Sequence, residues 1–240
     1  MNVFSARAIE AGYGAAQILY GVDISVESRE IVTVIGPNGC GKSTFLKTVM
    51  GLVPWSRGSA LFGEAELLGC RTDAIVRRGI GYVPQLSNVF PNLTVRENLE
   101  IGGFTLSRAA LGTRIAEITD LVPFLSGRLL QTAGTMSGGE RQLLALASAL
   151  MTRPALILLD EPSAGLSPQA TTTMFDTVRS LRDTLELTIL LVEQNVFQAF
   201  EISDRAYVLA MGRNEISGLP ADLIRNERVR VAYLGGEPAD

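Results

Sequence analysis

Gly36-Pro37-Asn38-Gly39-Cys40-Gly41-Lys42-Ser43-Thr44 has the spacing Gly-x4-Gly-Lys-Ser/Thr. Each residue type suits a phosphate. Glycines let the backbone come close enough for its N–H groups to surround phosphate oxygens, and a helix starting there turns its positive end toward them. Lys42 supplies a point charge for the β- and γ-phosphates, and Ser43 a hydroxyl for Mg2+. By itself this loop is common to kinases, GTPases and transport motors.

A second group of polar residues follows the apolar run Leu156-Ile157-Leu158-Leu159. Asp160 and Glu161 stand at the C-terminal edge of a buried strand, where ligands sit in open α/β sheets. Asp160 reads as the acid on the Mg2+ side, and Glu161, aimed differently, as the base that polarises a water for attack on the γ-phosphate. An acidic turn closing a core strand has the same composition, and the phosphate loop is what favours the catalytic reading. A third group, Met136-Ser137-Gly138-Gly139-Glu140-Arg141-Gln142, precedes an apolar helical run. Ser137 and Glu140 have capping-box spacing, so a well-capped helix accounts for them. A serine, two glycines and a helix N-terminus also make a second phosphate-binding surface. A chain that already holds phosphate at Lys42 has little use for another unless it serves a neighbour.

The elements that carry these groups can be read from the pattern. Ile31–Ile35 is a β-branched strand feeding the glycine loop, and Phe45 to Met50 a helical segment leaving it. Before them, alternation such as Val22-Asp23-Ile24-Ser25-Val26 predicts antiparallel strands through Glu30. Gly58 to Phe62 and Ile80 to Val83 read as strands, the latter stopped by Pro84. From about Leu86 to Met151 strand-like runs are missing; Thr94 with Glu97 predicts a capped helix from Val95, and another follows from Arg108. After Pro154 the alternation resumes. Pro168 opens a long helix with Phe175, Val178, Leu181 and Leu185 on one face, and strands follow at Thr188 to Val192 and Ala206 to Ala210. The expected fold is α/β: a nucleotide-binding core, an N-terminal antiparallel region and an inserted helical subdomain. The residues from Leu234 to Asp240 read as a frayed tail.

Composition narrows the chemistry. Hydrophobic residues are 47% and charged residues 19% of 240, with a mean hydropathy of +0.24. Runs such as Ala155 to Leu159 and Thr188 to Val192 are too short to span a bilayer and fit strands covered on both faces. The first ten residues lack the pattern of a secretion signal, so the expected compartment is the cytosol. Cys40 and Cys70 make no disulfide framework. A net charge of -4 does not favour nucleic acid as a partner. The absence of histidine excludes histidine zinc sites and imidazole proton transfer. Cys40 lies close to a helix end, where a thiol is readily acidified, but a small residue filling a variable loop position is the simpler reading.

Ser-Gly-Gly-Glu ahead of the carboxylate strand resembles the signature of ABC ATPases, and the similarity spans nearly the whole chain. That resemblance implies one ABC ATPase domain over 1–236, with core 1–85 and 152–236, a helical signature subdomain at 86–151 and a tail at 237–240. It implies that Tyr13 stacks on the adenine of ATP. Gln85, after Gly81-Tyr82-Val83-Pro84, joins core to insert and senses Mg2+ and the γ-phosphate; Ser163 to Pro168 is the loop that crosses a dimer interface. It further implies that two ATPase subunits, identical or different, face head to tail, each signature closing over the other's ATP. Such pairs drive transmembrane permease subunits from the cytoplasmic face of the inner (plasma) membrane. Glu97-Asn98-Leu99 with Gly102-Gly103-Phe104, Ala133 to Met136, Val192-Glu193-Gln194-Asn195 and Ala232-Tyr233-Leu234-Gly235-Gly236 resemble the importers of branched-chain amino acids and related amides, which also use a solute-binding protein. Two positions depart from the general pattern. Gln194 stands where most members have histidine; it is expected to contact the γ-phosphate, and it can donate a hydrogen bond but cannot carry a proton. Ser167 stands where aspartate is usual. Two other readings share these motifs: a soluble ABC ATPase of DNA repair or translation, and a regulatory module that binds ATP and scarcely hydrolyses it.

Overall fold

The computed structural model describes residues 2–86 and 88–233. The chain opens with β1 (Asn2–Tyr13), β2 (Ala16–Glu27), β3 (Ile31–Ile35), α1 (Lys42–Val49), β4 (Trp55–Phe62) and β5 (Ala65–Glu66). It continues through α2 (Thr72–Arg77), β6 (Ile80–Val83), α3 (Val95–Gly102), α4 (Arg108–Leu121), α5 (Gly138–Leu150) and β7 (Leu156–Asp160). The last elements are α6 (Pro168–Leu185), β8 (Thr188–Glu193), α7 (Val196–Ile202), β9 (Arg205–Ala210), β10 (Arg213–Gly218), α8 (Pro220–Arg225) and α9 (Glu227–Tyr233). Two compact units result, one formed by the residues before 76 and after 187, the other by Val76–Leu187.

The first unit contains the expected antiparallel region, in the strand order β2-β1-β4-β5. Its register is set by the turn at Gly14, which adopts φ 57° and pairs Tyr13 with Ala16. Beside it run β10, β9, β3 and β8, with β3 parallel to β9 and β8, and β10 antiparallel to β9. Every residue of β3 and β8 is buried, as continuous apolar runs require when both faces of a strand are covered. Ile35, Val196, Phe200, Val208, Leu223 and Val229 pack into one cluster that seats α7, α8 and α9 on this sheet.

The second unit pairs β6 and β7 in parallel and adds the helices. Among the described residues no strand lies between 86 and 151; the only ladder contact is an isolated bridge, Thr94 to Thr132. Both predicted capping boxes are present, Thr94 with Glu97 on α3 and Ser137 with Glu140 on α5. One expectation about α6 needs correction. Its buried face is Thr171, Met174, Phe175, Val178 and Leu181, while Leu185 is 36% exposed. Leu185 is the last helical residue, and Glu186 turns the backbone to φ 55° directly after it, so the apolar stripe ends one turn earlier. The strand expected from Gly58 begins at Trp55. The predicted tail from Leu234 lies outside the described residues, as does Leu234-Gly235-Gly236.

Candidate active site

In the first unit, β3 delivers the chain into the glycine loop and α1 leaves it. Pro37, Asn38 and Gly39 are exposed, whereas Gly36, Cys40, Gly41 and Lys42 are buried. Gly41 is the N-cap of α1 at φ 107°, a left-handed conformation that costs a side-chain-bearing residue about 1–2 kcal/mol. A Cβ there would also meet Leu19 Cδ2 at 2.6 Å. Lys42 is 4% exposed, and its Nζ donates to the carbonyls of Gly36 at 2.9 Å and Pro37 at 3.3 Å. Two of its contacts are therefore to carbonyls of the loop itself. Ser43 and Thr44, half-buried, occupy the first turn of α1.

These features suit a triphosphate. Helix α1 has no side-chain cap and no acid in its first turn, whereas Thr94, Ser107, Ser137 and Ser167 each cap the helix they precede. An uncapped N-terminus beside a buried ammonium favours an anion. Tyr13, 42% exposed, stands at the β1–β2 turn with its ring available for stacking. Gln194 follows β8, and because Ile35 pairs with Glu193 it emerges at the same sheet edge as Gly36. Cys40 is 4% exposed, and its carbonyl accepts from Gly212 N at 2.9 Å. Its thiol lies inside the loop, where a Cβ on Gly36 would approach Sγ to 2.7 Å.

In the second unit, β7 presents Asp160, 1% exposed, and then Glu161, 5% exposed. Glu161 adopts φ 48°, the left-handed region that is strained for a residue with a Cβ. Gln85 Nε2 donates to Glu161 Oε2 at 2.7 Å, leaving Gln85 Oε1 as the atom able to meet a cation. Tyr82 donates its phenol hydrogen to Asp160 Oδ2 at 3.2 Å. Among the described residues no cluster of three or more acidic, cysteine or histidine side chains could hold a metal unaided. Within this unit the buried carboxylate of Asp160 and the amide oxygen of Gln85 are oxygen donors of the kind that take Mg2+ together with substrate phosphates.

The same unit carries the signature segment. Ser137 Oγ accepts from Glu140 N at 3.3 Å, and Glu140 Oε2 accepts from Ser137 N at 2.8 Å. The Ser137 amide, with Arg128 beyond it, holds the Glu140 carboxyl below its ordinary value against partial burial that pushes the other way. The capping box is thus present, with the Ser137 hydroxyl oxygen as its acceptor. Gly139 lets α5 meet α6, since a Cβ there would lie 2.9 Å from Ala170 Cβ. The two helices border a groove of about 430 Å3 lined by Ser137, Glu140, Ser167, Gln169 and Thr173. Ser167 caps α6 by accepting from Ala170 N at 3.4 Å, a task that aspartate also performs.

Two residues bearing on the site escaped the sequence reading. Glu193, 1% exposed, accepts from the amides of Gln194 at 3.0 Å and Asn195 at 3.5 Å, fixing the backbone from which Gln194 projects. Tyr82 was noted only as part of the segment before Gln85. Its pairing with Asp160 depends on the β6–β7 register.

A phosphate loop, a pair of acids on a strand edge and a capped serine-glycine segment define an ATP-binding cassette. Residues 19–164 match the ABC transporter family, to which the chain belongs, and it is an ATPase of that family. It is 43% identical over 227 residues to the probable branched-chain amino acid transport ATP-binding protein LivF of Archaeoglobus fulgidus, spanning 95% of this chain and 96% of that one. It is 45% identical over 224 residues to the high-affinity branched-chain amino acid transport ATP-binding protein BraG of Pseudomonas aeruginosa, over 93% and 96% of the two chains. The fold matches a solved nucleotide-free ATP-binding cassette from an ABC transporter with a TM-score of 0.87 at 26% identity, covering 99% of this chain and 100% of that one.

Proposed function

We propose that this chain is the ATP-hydrolysing subunit of an importer for branched-chain amino acids or closely related amides. The observation that carries the substrate class is its 43% and 45% identity, over nearly full length, to two ATP-binding proteins named for that transport. ATP is bound by stacking on Tyr13 and by the loop from Gly36 to Thr44, with Lys42 against its β- and γ-phosphates. In this reading Ser43, Asp160 and Gln85 are the residues that would hold Mg2+. When bound, this ion neutralises charge on the phosphate oxygens. Glu161 orients and deprotonates the attacking water, Gln85 fixes the Glu161 carboxylate, and Gln194 donates to the γ-phosphate.

The signature of a second ATPase subunit, Ser137 to Gly139, closes over the γ-phosphate and keeps bulk water out, which strengthens each electrostatic contact. The core at 1–85 and 152–236 serves as the nucleotide-binding part and the insert at 86–151 as the transmitting part. No helix among the described residues is long and apolar enough to cross a membrane, so the spanning segments belong to permease subunits. Those partners have a surface to grip. A groove of about 250 Å3 beside Pro84 is lined by Phe90, Ile101 and Phe104, which are 54%, 43% and 52% exposed. Apolar exposure of this kind marks a protein contact. The chain therefore works at the cytoplasmic face of the membrane, and a solute-binding protein acts through the permease.

The test is reconstitution in liposomes with the membrane and solute-binding proteins encoded beside it. Leucine, isoleucine, valine or a simple amide should raise ATP turnover and drive uptake. Coupled turnover that responds to none of them refutes the substrate class.

A further inference from the structure

Strand β6 brings two side chains to the two acids of β7. Pairing runs Tyr82 with Leu158 and Val83 with Leu159, so Gln85, two residues beyond the strand, falls level with Glu161. Tyr82 is two residues short of Asp160, and residues two apart on a strand point to the same side. The length of the phenol ring covers that offset, and its hydroxyl donates to Asp160 Oδ2 at 3.2 Å. Asp160 is 1% exposed, so the direction of its carboxylate is set by protein donors rather than by bulk water. An ionised carboxylate accepts only, and a donor fixed on one oxygen restrains the plane and direction of the whole group.

We propose that Tyr82 is a positioning residue for the metal seat, holding Oδ2 of Asp160 and so fixing the orientation in which its carboxylate would meet Mg2+. The inference rests on the reading of Asp160 as the Mg2+-side acid. It assigns to β6 a task for each acid, Gln85 for the water-activating carboxylate and Tyr82 for the metal-facing one. Tyr82 touches neither nucleotide nor reacting atoms.

The experiment is a titration of Mg2+ against binding of a fluorescent ATP analogue to the full chain, with a parallel measurement in EDTA. Tyr82→Phe removes the hydroxyl alone; Tyr82→Met provides a second hydroxyl-free side chain should the ring pack poorly without its anchor. Each should raise the Mg2+ concentration for half-maximal binding about tenfold, the scale of one hydrogen bond to a charged group, while affinity in EDTA stays at the parent value. Equal weakening with and without Mg2+ marks a merely structural role and overturns the proposal. Asp160→Asn separates the two claims. If it shifts the Mg2+ midpoint and the Tyr82 variants do not, the positioning role fails alone. If neither shifts it, the reading of Asp160 fails as well.

Discussion

Replacing Glu161 by Gln tests the proposed chemistry most directly, because the structure limits what else the change can do. Glu161 is 5% exposed and accepts from Gln85 Nε2 at 2.7 Å. An amide of the same shape keeps a carbonyl oxygen for that donor, so the packing and the hydrogen bond survive. Its backbone stays at φ 48°, and the cost of that conformation is common to both forms. Stability should change by no more than about 1 kcal/mol, the scale of one hydrogen bond, since Gln85 keeps its acceptor. Nucleotide affinity should stay within about threefold, because the charge proposed to hold the phosphates is that of Lys42. Turnover is different, because an amide nitrogen cannot take a proton from water. A positioned general base contributes roughly 10²–10⁴ in rate, equivalent to about 3–5 kcal/mol of barrier at 1.36 kcal/mol per decade. The assay is steady-state phosphate release, read beside equilibrium ATP binding and a thermal melt. Unchanged turnover removes Glu161 from its role, and a loss of affinity as large as the loss of rate reassigns it to binding. The slowed variant also tests pairing. Loaded with ATP it should accumulate as a dimer on gel filtration, and strictly monomeric behaviour even beside the membrane subunits contradicts the shared site.

Two further substitutions and a pH profile probe the frame. Ser137→Ala should cost about 1 kcal/mol through loss of the α5 cap, a drop in Tm of about 2–4 °C. Ser137→Asp restores the cap and the melt but places a carboxylate toward the γ-phosphate, so ATP turnover stays low; recovery of turnover along with Tm would reduce Ser137 to a helix cap. Burial raises the Glu30 carboxyl, but Arg205, bonded at 2.8 and 3.0 Å, and the Glu27 amide outweigh it and hold the group below its ordinary value of 4.5. The unfolded chain then binds more protons at acid pH. The stabilisation is complete above about pH 4.5 and fades as pH falls through the native value. Arg205→Met should flatten that acid limb and lower stability by about 1–2 kcal/mol, between exposed and buried ion pairs. An unaltered limb in urea melts from pH 3 to 7 assigns the acid sensitivity to other carboxylates.

How much of this was legible in the sequence follows the distance over which each feature is encoded. The phosphate loop, its flanking strand and helix, and the starts of α3, α4 and α6 are specified within a few residues by caps, glycines and Pro168. The structure has α3 beginning at Val95 and α4 at Arg108, the positions those local signals indicate. The first turns of β4 and the whole of β10 carry weak patterns. Arg213-Asn214-Glu215-Ile216-Ser217-Gly218 is mostly polar, and only its pairing with β9 makes it a strand. Side-chain partnerships across the sheet were not legible. Tyr82 and Asp160 are 78 residues apart and Gln85 and Glu161 are 76 apart, so each pair depends on a register that no local spacing reveals. Glu193 is a similar case. The expected strand stopped at Val192, and only the hydrogen bonds of Glu193 to the next two amides mark it as the support of Gln194.

The capping of two helices bears on the order of events. At α1 the left-handed Gly41 offers no side-chain acceptor, so the cap residue itself does not compete with an arriving phosphate for the first-turn amides. At α5 the box between Ser137 and Glu140 is closed, and Arg128 braces Glu140 from behind. A phosphate there gains the Ser137 hydroxyl and the helix field, but it must face the carboxylate of the box. The chain's own loop is therefore the stronger anion seat, and the signature surface adds a smaller increment to a nucleotide already bound. In a pair of the proposed kind, ATP would load one subunit first and the second would close over its γ-phosphate. Cleavage of that phosphate would remove what the weaker surface holds and let the pair open with ADP still on the loop.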